Sequence, residues 1–354
     1  MTTTDSNRAT ANLRLFQCMA GARHGGAELF FERLARAFQE KRVTQHLAIK
    51  PEPHREARLS SAGIAVSKCG FSPLLAPLHR RQLKQAVRQM EANVILSWMN
   101  RASSMMPDCG VPHVARLGGF YNLKYYAGCD WLVGNTRDVA DYLIAEGWPA
   151  DRVHYQVNFV PDGLSGPVFD GPQSGGPVIV ALGRLHVNKA FDTLLRAFAK
   201  LDDGTLWLAG EGPEGESLAA LADELGISER VHFLGWQDDS QAVIRGADML
   251  VCPSRHEPFG NVIAEAMACG KPVIATRSNG ALELLEEGVT GLLAAVDDHA
   301  ALADLMKTLG ADRGLQSKLG IAARAFWQAH LSPDRVSDDW ISFLDQVAHQ
   351  GRAG

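Results

Sequence analysis

No stretch of this sequence approaches the roughly 18 uninterrupted apolar residues that a membrane-spanning helix requires. Its opening, MTTTDSNRATANLRLF, does not set a charged start ahead of a long apolar run, so no secretory signal is expected. Cysteine is sparse. Cys18, Cys69, Cys109, Cys129, Cys252 and Cys269 lie scattered, with no CxxC pair and no zinc-like spacing to histidine. Free thiols in a reducing cytoplasm are expected. A large excess of either charge is also missing: 35 Lys plus Arg stand against 40 Asp plus Glu. That excludes a strongly basic binder of the histone kind, and no nucleic-acid partner is expected. No internal repeat is visible.

What is present is the composition of an ordinary globular protein, 46% hydrophobic and 21% charged over 354 residues. The length suits two domains or one large one, with a sizeable core. The near-neutral total conceals an asymmetry. Residues 1–165 carry 20 Lys/Arg and 14 Asp/Glu, a net of +6, whereas 166–354 carry 15 and 26, a net of −11. Two domains with different partners are expected.

Short apolar runs alternate with helical patterns, which predicts an α/β protein with mostly parallel sheets. In the first half, 13–18, 45–49, 93–97, 113–117 and 131–134 read as strands. Leu29, Phe30, Leu34 and Phe38 share a face of a helix over 27–39. Asn135 reads as a helix start. The Gly-, Pro- and Ser-rich stretch 165–177 reads as a linker. Beyond it, strands are predicted at 177–182, 205–209, 231–234, 249–252 and 272–276, with helices at 190–201, 214–225 and 262–268. Helices at 300–309, 313–330 and 334–350 finish the chain. The expected domains are therefore 1–165 and 166–332, each Rossmann-like, with a cleft between them. In such sheets ligands bind beyond the carboxyl ends of the strands.

The richest stretch leaves a strand and enters a helix: Pro253, Ser254, Arg255, His256, Glu257, Pro258, Phe259, Gly260, Asn261, Val262 and on to Glu265. The unspent N–H groups of a first helical turn bind anions, and the helix dipole favours negative charge there. Gly260 permits close backbone approach. Glu257 in the loop and Glu265 on the second turn can accept hydroxyl hydrogen bonds on either side of such an anion. A diphosphate between a sugar and a ribose suits that geometry. For either glutamate alone, a helix cap or a solvated helix charge is the plain alternative. Arg184 and Lys189 leave a strand end, where two cations can neutralise a diphosphate without a metal. Alone, they make an ordinary basic loop. Gly25 and Gly26, between the first strand and first helix, suit phosphate approach, though they are also common turn residues.

Together these sites resemble the retaining nucleotide-sugar glycosyltransferases of family 4, which have the GT-B fold. Glu257 and Glu265 match that family's E-x7-E motif. GRLHVNKAFDTLLRAF, LAGEGPEGESLAALADELGISERVHFLGW and CPSRHEPFGNVIAEAMACGKPVIAT resemble its C-terminal domain, and HGGAE its N-terminal glycine motif. The likeness is strong over about 178–296 and weaker over 30–165, as expected where the first domain binds a variable acceptor. It implies two Rossmann-like domains facing a cleft, with the last helix, near 334–350, crossing back onto the first.

The resemblance also implies roles. Glu257 contacts donor-sugar hydroxyls and Glu265 the ribose. The backbone of Phe259, Gly260, Asn261 and Val262 holds the diphosphate or sugar. Arg184 and Lys189 stabilise the leaving diphosphate, and Gly25 and Gly26 close over the phosphates. The base rests against the 235–238 loop. The implied activity is retaining transfer from a UDP- or GDP-linked sugar to a lipid, lipopolysaccharide-core or polysaccharide acceptor. A donor phosphate oxygen takes the acceptor proton on the face of attack, so neither cofactor nor metal is expected. A nucleotide-sugar epimerase of the same fold, or a non-catalytic nucleotide-sugar binder, is the alternative.

The sequence departs from the family in two places. Many members carry histidine after the strand at 113–117, where this chain reads Arg116, Leu117, Gly118, Gly119, Phe120. Arg116 and Tyr121 are assigned to the acceptor side. The usual Lys-Gly is Lys189-Ala190. Trp98, Tyr125 and Tyr126 either line the acceptor pocket or fill core. Arg80, Arg81, Lys84 and Arg88 form a basic stripe preceded by Leu74, Leu75 and Leu78. Near an anionic membrane each such residue is worth about 1 kcal/mol, which suits docking on the inner face of the cytoplasmic membrane. The alternative is a solvated helix whose Leu83 and Val87 face the core.

Overall fold

The computed structural model describes residues 12–23 and 25–351. His24 of the glycine motif lies outside the described residues. The chain divides into two compact units. One takes the chain up to Asn158 and regains it at Pro333; the other is Phe159–Ser332.

The first unit runs β1 (Arg14–Met19), α1 (Gly26–Glu40), β2 (Thr44–Ile49), α2 (Pro53–Ser61), β3 (Ala65–Lys68), α3 (Ala76–Gln89), β4 (Val94–Trp98), α4 (Met99–Met105), β5 (His113–Leu117), β6 (Trp131–Gly134), α5 (Arg137–Ala145) and β7 (Val153–Tyr155). Its strands pair in parallel in the order β3-β2-β1-β4-β5-β6-β7. Central parallel strands are covered on both faces and read as unbroken apolar runs. Accordingly every residue of β4 and β5 is buried.

On α1, Phe31, Leu34, Ala35 and Phe38 enter the core at helical spacing, with Phe30 beside them. Leu29, expected on that face, is 45% exposed. It lies too far around the helix from Phe38. α5 starts at the Thr136 cap, whose hydroxyl accepts from Val139 N at 3.2 Å, one residue beyond Asn135.

The second unit runs β8 (Val178–Leu182), α6 (Phe191–Phe198), β9 (Thr205–Ala209), α7 (Gly215–Glu224), β10 (Val231–Gly235), α8 (Ser240–Gly246), β11 (Met249–Cys252), α9 (Asn261–Ala268), β12 (Val273–Thr276), α10 (Asn279–Leu284), β13 (Leu292–Ala294), α11 (His299–Ala311) and α12 (Arg313–His330). Its parallel sheet has the order β10-β9-β8-β11-β12-β13. In each sheet the order reverses once, at β1/β4 and at β8/β11. β3, β7 and β13 are absent from the sequence reading. They are short strands at sheet edges, and the half-exposed pattern of β3 and β7 leaves no apolar run to read.

α13 (Pro333–Gln350) returns to the first unit. Its Phe343 stacks on His154, centroids 3.9 Å apart, and meets Trp131 edge-on at 5.6 Å. Lys41 of the same unit reaches Asp338 at 2.9 Å.

The division between units falls at 158/159 rather than at 165/166. The Gly/Pro stretch is bonded along the second unit. Phe169 N donates to Ala242 O at 3.0 Å, Trp207 Nε1 to Pro172 O at 2.8 Å, and Arg245 Nε to Pro167 O at 3.1 Å. Proline has no N–H for a ladder, but its neighbours' and its own carbonyls remain to accept side-chain donors. Composition of that kind does not separate a tether from a strap.

Candidate functional site

In a doubly wound sheet, the loops after the strands that flank the reversal form the binding crevice. In the second unit these follow β8 and β11. The first carries Arg184 and Lys189, the second Ser254 to Gly260. Val187–Lys189 is a single 3-10 turn. From it the Lys189 ammonium pairs with Glu257 Oε2, to which Ser254 Oγ also donates at 3.2 Å. Both side chains are largely buried, 24% and 10% exposed. Burial pulls the Lys189 ammonium down, and the Glu257 charge outweighs it, leaving its pKa above the ordinary value. The two expected cations are therefore unequal. Arg184 is exposed and has no side-chain partner among the described residues, whereas Lys189 is already in an ion pair.

Gly260 caps α9 in the left-handed region, φ 89°. Ile263 N and Ala264 N turn back to its carbonyl at 3.0 and 3.2 Å. Glu257 supplies no side-chain cap to this helix. Glu265, on the second turn, is 4% exposed and accepts from Ser240 Oγ at 2.8 Å. Neither plain alternative therefore holds: one glutamate grips a lysine, and the other is a buried carboxylate. Phe259, Gly260, Asn261 and Val262 follow one another at this helix entry.

The sequence reading missed the residues that support this loop. Gly280 N donates to Glu257 O at 2.7 Å, and a side chain at Gly280 would begin 2.5 Å from the Phe259 carbonyl carbon. Thr276 Oγ1 donates to Ser254 O at 2.6 Å. Ser-Asn-Gly reads only as a turn; the close approach exists once β12 and β11 are paired. Ala190 sits at φ 51°, ψ 38°, fully buried. That left-handed geometry accounts for the family's usual glycine, and an L-residue there costs roughly 1–2 kcal/mol.

In the first unit, Gly25 and Gly26 are exposed at the start of α1. Glu28 folds back there, and its Oε1 accepts from Ala22 N at 2.7 Å. A side chain at Gly21 or Gly25 would collide with that buried carboxylate. The glycines thus house Glu28, which the sequence reading did not single out.

Arg116 lies within β5, 2% exposed. Nη2 donates to Asn158 Oδ1 at 2.6 Å, and the guanidinium sits over Phe30 and Trp98 at 5.3 and 5.4 Å. Nε is buried without a partner, and no carboxylate among the described residues pairs with it. Burial lowers its pKa to about 10. A side chain at Gly118 would begin 2.7 Å from Nη1. Tyr121 is half-buried, its carbonyl accepting from Tyr142 OH at 3.0 Å.

Trp98 and Tyr126 are core residues, bonded to Gln17 and Asn100, because β4 and the turn after β5 face inward. Tyr125 is exposed. On α3, Leu83 and Val87 are buried, while Arg80, Arg81, Lys84 and Arg88 line a groove of about 610 Å³. Leu74, Leu75 and Leu78 are exposed ahead of it. Among the described residues no helix is long and apolar enough to cross a membrane, and no His/Cys/Asp/Glu group is arranged to hold a metal. None of the six cysteines is in a disulfide.

Two parallel Rossmann-like sheets, with the terminal helix returned to the first, define an α/β protein of the GT-B class. The model described as "Glycosyl transferases group 1" matches residues 176–312. Lipopolysaccharide core biosynthesis glycosyltransferase LpsE of Rhizobium meliloti (strain 1021) is 33% identical over 332 residues, 90% of this chain and 96% of that protein. LpsD of the same organism is 31% identical over 328 residues, 91% and 95%. The chain belongs to the group 1 glycosyltransferases. Among solved structures, Anabaena Alr3699/HepE in complex with UDP superposes with a TM-score of 0.82 at 22% identity, covering 94% of this chain and 100% of that one. The lipopolysaccharide outer core galactosyltransferase WaaB, apo form, gives 0.69 at 17%, covering 93% and 98%. These two show a shared fold.

Proposed function

We propose that this glycosyltransferase is retaining and moves a sugar from a UDP- or GDP-linked donor to a lipopolysaccharide core acceptor. The observation that carries the reading is the Lys189–Glu257 pair at the β8/β11 reversal, with the entry of α9 and the buried Glu265 beyond it. The core acceptor rests on LpsE and LpsD, which match nine-tenths of the chain.

Glu257 meets sugar hydroxyls and Glu265 the ribose. The backbone of Phe259, Gly260, Asn261 and Val262 meets the diphosphate, and the base lies by the loop of exposed Trp236. The acceptor oxygen attacks the anomeric carbon as its bond to the phosphate oxygen breaks. The acceptor proton passes to that phosphate oxygen on the same face, so configuration is kept and no protein base is used. Arg184 and Lys189 take up the charge of the leaving diphosphate, which stands in for a metal.

A thermal-shift screen tests this. A ligand at a hundred times its Kd stabilises by about 2.7 kcal/mol. One of UDP and GDP, and its sugar conjugate, is expected to raise Tm, with EDTA making no difference to transfer. No shift with either overturns the reading. Truncated lipopolysaccharide in cells lacking the protein identifies the acceptor.

The first unit takes the acceptor. Arg116, a buried cation with no carboxylate partner among the described residues, and the neighbouring Tyr121 suit one that carries phosphate or carboxylate. The α3 groove docks on anionic lipid at the cytoplasmic face. Each basic residue contributes about 1 kcal/mol near such a surface. Arg81→Glu with Arg88→Glu is therefore expected to weaken sedimentation with phosphatidylglycerol vesicles more than tenfold. Unchanged sedimentation sinks this part.

A further inference from the structure

The Lys189–Glu257 pair joins loops from two different strands, and one side chain ties those loops together. Arg255 N donates to Asn188 O at 2.9 Å, and His256 N reaches the same carbonyl at 3.3 Å. Arg255 Nη1 donates to Val187 O at 2.8 Å. Its fork takes both oxygens of Asp192, at 3.0 and 2.8 Å, while Nε meets Asp297 Oδ1 at 2.7 Å. Thr193 closes the ring: its Oγ1 accepts from Nη2 at 3.2 Å and donates to Asp297 Oδ1 at 3.0 Å. Asp297 holds φ 62°.

Val187 and Asn188 are the first two residues of the turn that ends in Lys189. Arg255 stands in the same loop as Glu257. We propose that Arg255 is a positioning residue for the donor site, clamping the Lys189 turn to the Glu257 loop through Asp192 and Asp297. This rests on the reading of Lys189 and Glu257 as donor-site residues. Only a guanidinium meets these acceptors together. It has a planar fork of donors, where lysine offers a single charged head.

The Asp192 and Asp297 side chains are about half exposed, 43% and 50%. Isolated exposed pairs add little to stability, and a half-exposed bidentate network adds modestly more. A displacement of about 1 Å at a reacting centre, in contrast, costs on the order of a hundredfold in rate. The clamp therefore predicts a loss of site geometry out of proportion to a loss of fold.

The test is calorimetric binding of UDP and of GDP to the full chain, with Tm measured beside it. For whichever nucleotide the native chain binds, Arg255→Met and Arg255→Lys are both expected to weaken affinity about tenfold, with Tm nearly unchanged. In a Lys189→Ala background, Arg255→Met is expected to weaken it less than twofold, because Arg255 acts through Lys189. If Arg255→Met folds poorly, Asp192→Asn must weaken binding in the same direction. Native affinity in Arg255→Met, native affinity in Arg255→Lys, or an undiminished loss in the Lys189→Ala background overturns the clamp. A native chain that binds neither nucleotide overturns the donor-site reading instead.

Discussion

Lys189→Ala is expected to lower kcat by about two to three orders of magnitude, the usual cost of deleting one positioned donor from a developing charge. The ammonium lies at the end of the β8 loop, held by Glu257. In the proposed reaction the diphosphate leaves with negative charge that Arg184, exposed and with no side-chain partner among the described residues, cannot meet alone. The substitution also strands the Glu257 carboxylate, to which Ser254 Oγ still donates at 3.2 Å. Leaving a buried carboxylate without its cation is destabilising, so Tm falls as well. The double variant Lys189→Ala/Glu257→Gln isolates the effect on stability. It removes the stranded charge, and it is expected to regain Tm while staying inactive. Steady-state kinetics with melting curves decide the matter. Near-native kcat in folded Lys189→Ala rules out the leaving-group role.

Glu265→Ala is expected to act on the other parameter. Its carboxylate is buried on α9 and bonded to Ser240. In the proposed complex it accepts from ribose hydroxyls, away from the bond that breaks. A hydrogen bond to a charged group contributes about 1.5–3 kcal/mol, so the donor KM should rise about ten- to hundredfold. An interaction equal in ground and transition states changes KM and leaves kcat. The pair of variants thus splits: Lys189→Ala loses kcat, Glu265→Ala loses donor affinity. Glu265→Gln keeps the shape and checks for a cavity effect. A donor KM unchanged in both Glu265 variants removes the residue from the donor site.

Much of the second unit was legible in the chain. β8, β9 and β11 are buried throughout, and β9 and β11 fall where periodicity places them. The Glu257-to-Glu265 string is local, so its loop-then-helix geometry follows from neighbours in sequence. The first unit was less legible. β3 and β7 are edge strands without a continuous apolar pattern, and Leu29 was grouped with Phe38 although nine residues place the two about half a turn apart on a helix. The 165–177 stretch had the composition of a tether because composition records the lack of a ladder, not the side chains of Trp207 and Arg245 that bind it.

By itself the sequence determined the α/β class, the alternation of strands and helices, and the residue types gathered at the carboxyl ends of β8 and β11. Those depend on periodicity and on local backbone chemistry. Tertiary structure decided which of them meet. Lys189 and Glu257 stand 68 positions apart and are joined because β8 pairs with β11. The same pairing brings Arg255 to Asp192, and the pairing of β11 with β12 presses Gly280 against the Glu257 loop. It also fell to tertiary structure to bury Arg116 among Phe30, Trp98 and Asn158. Burial and charge pairing are properties of neighbours in space, and the order of strands in a sheet supplies those neighbours.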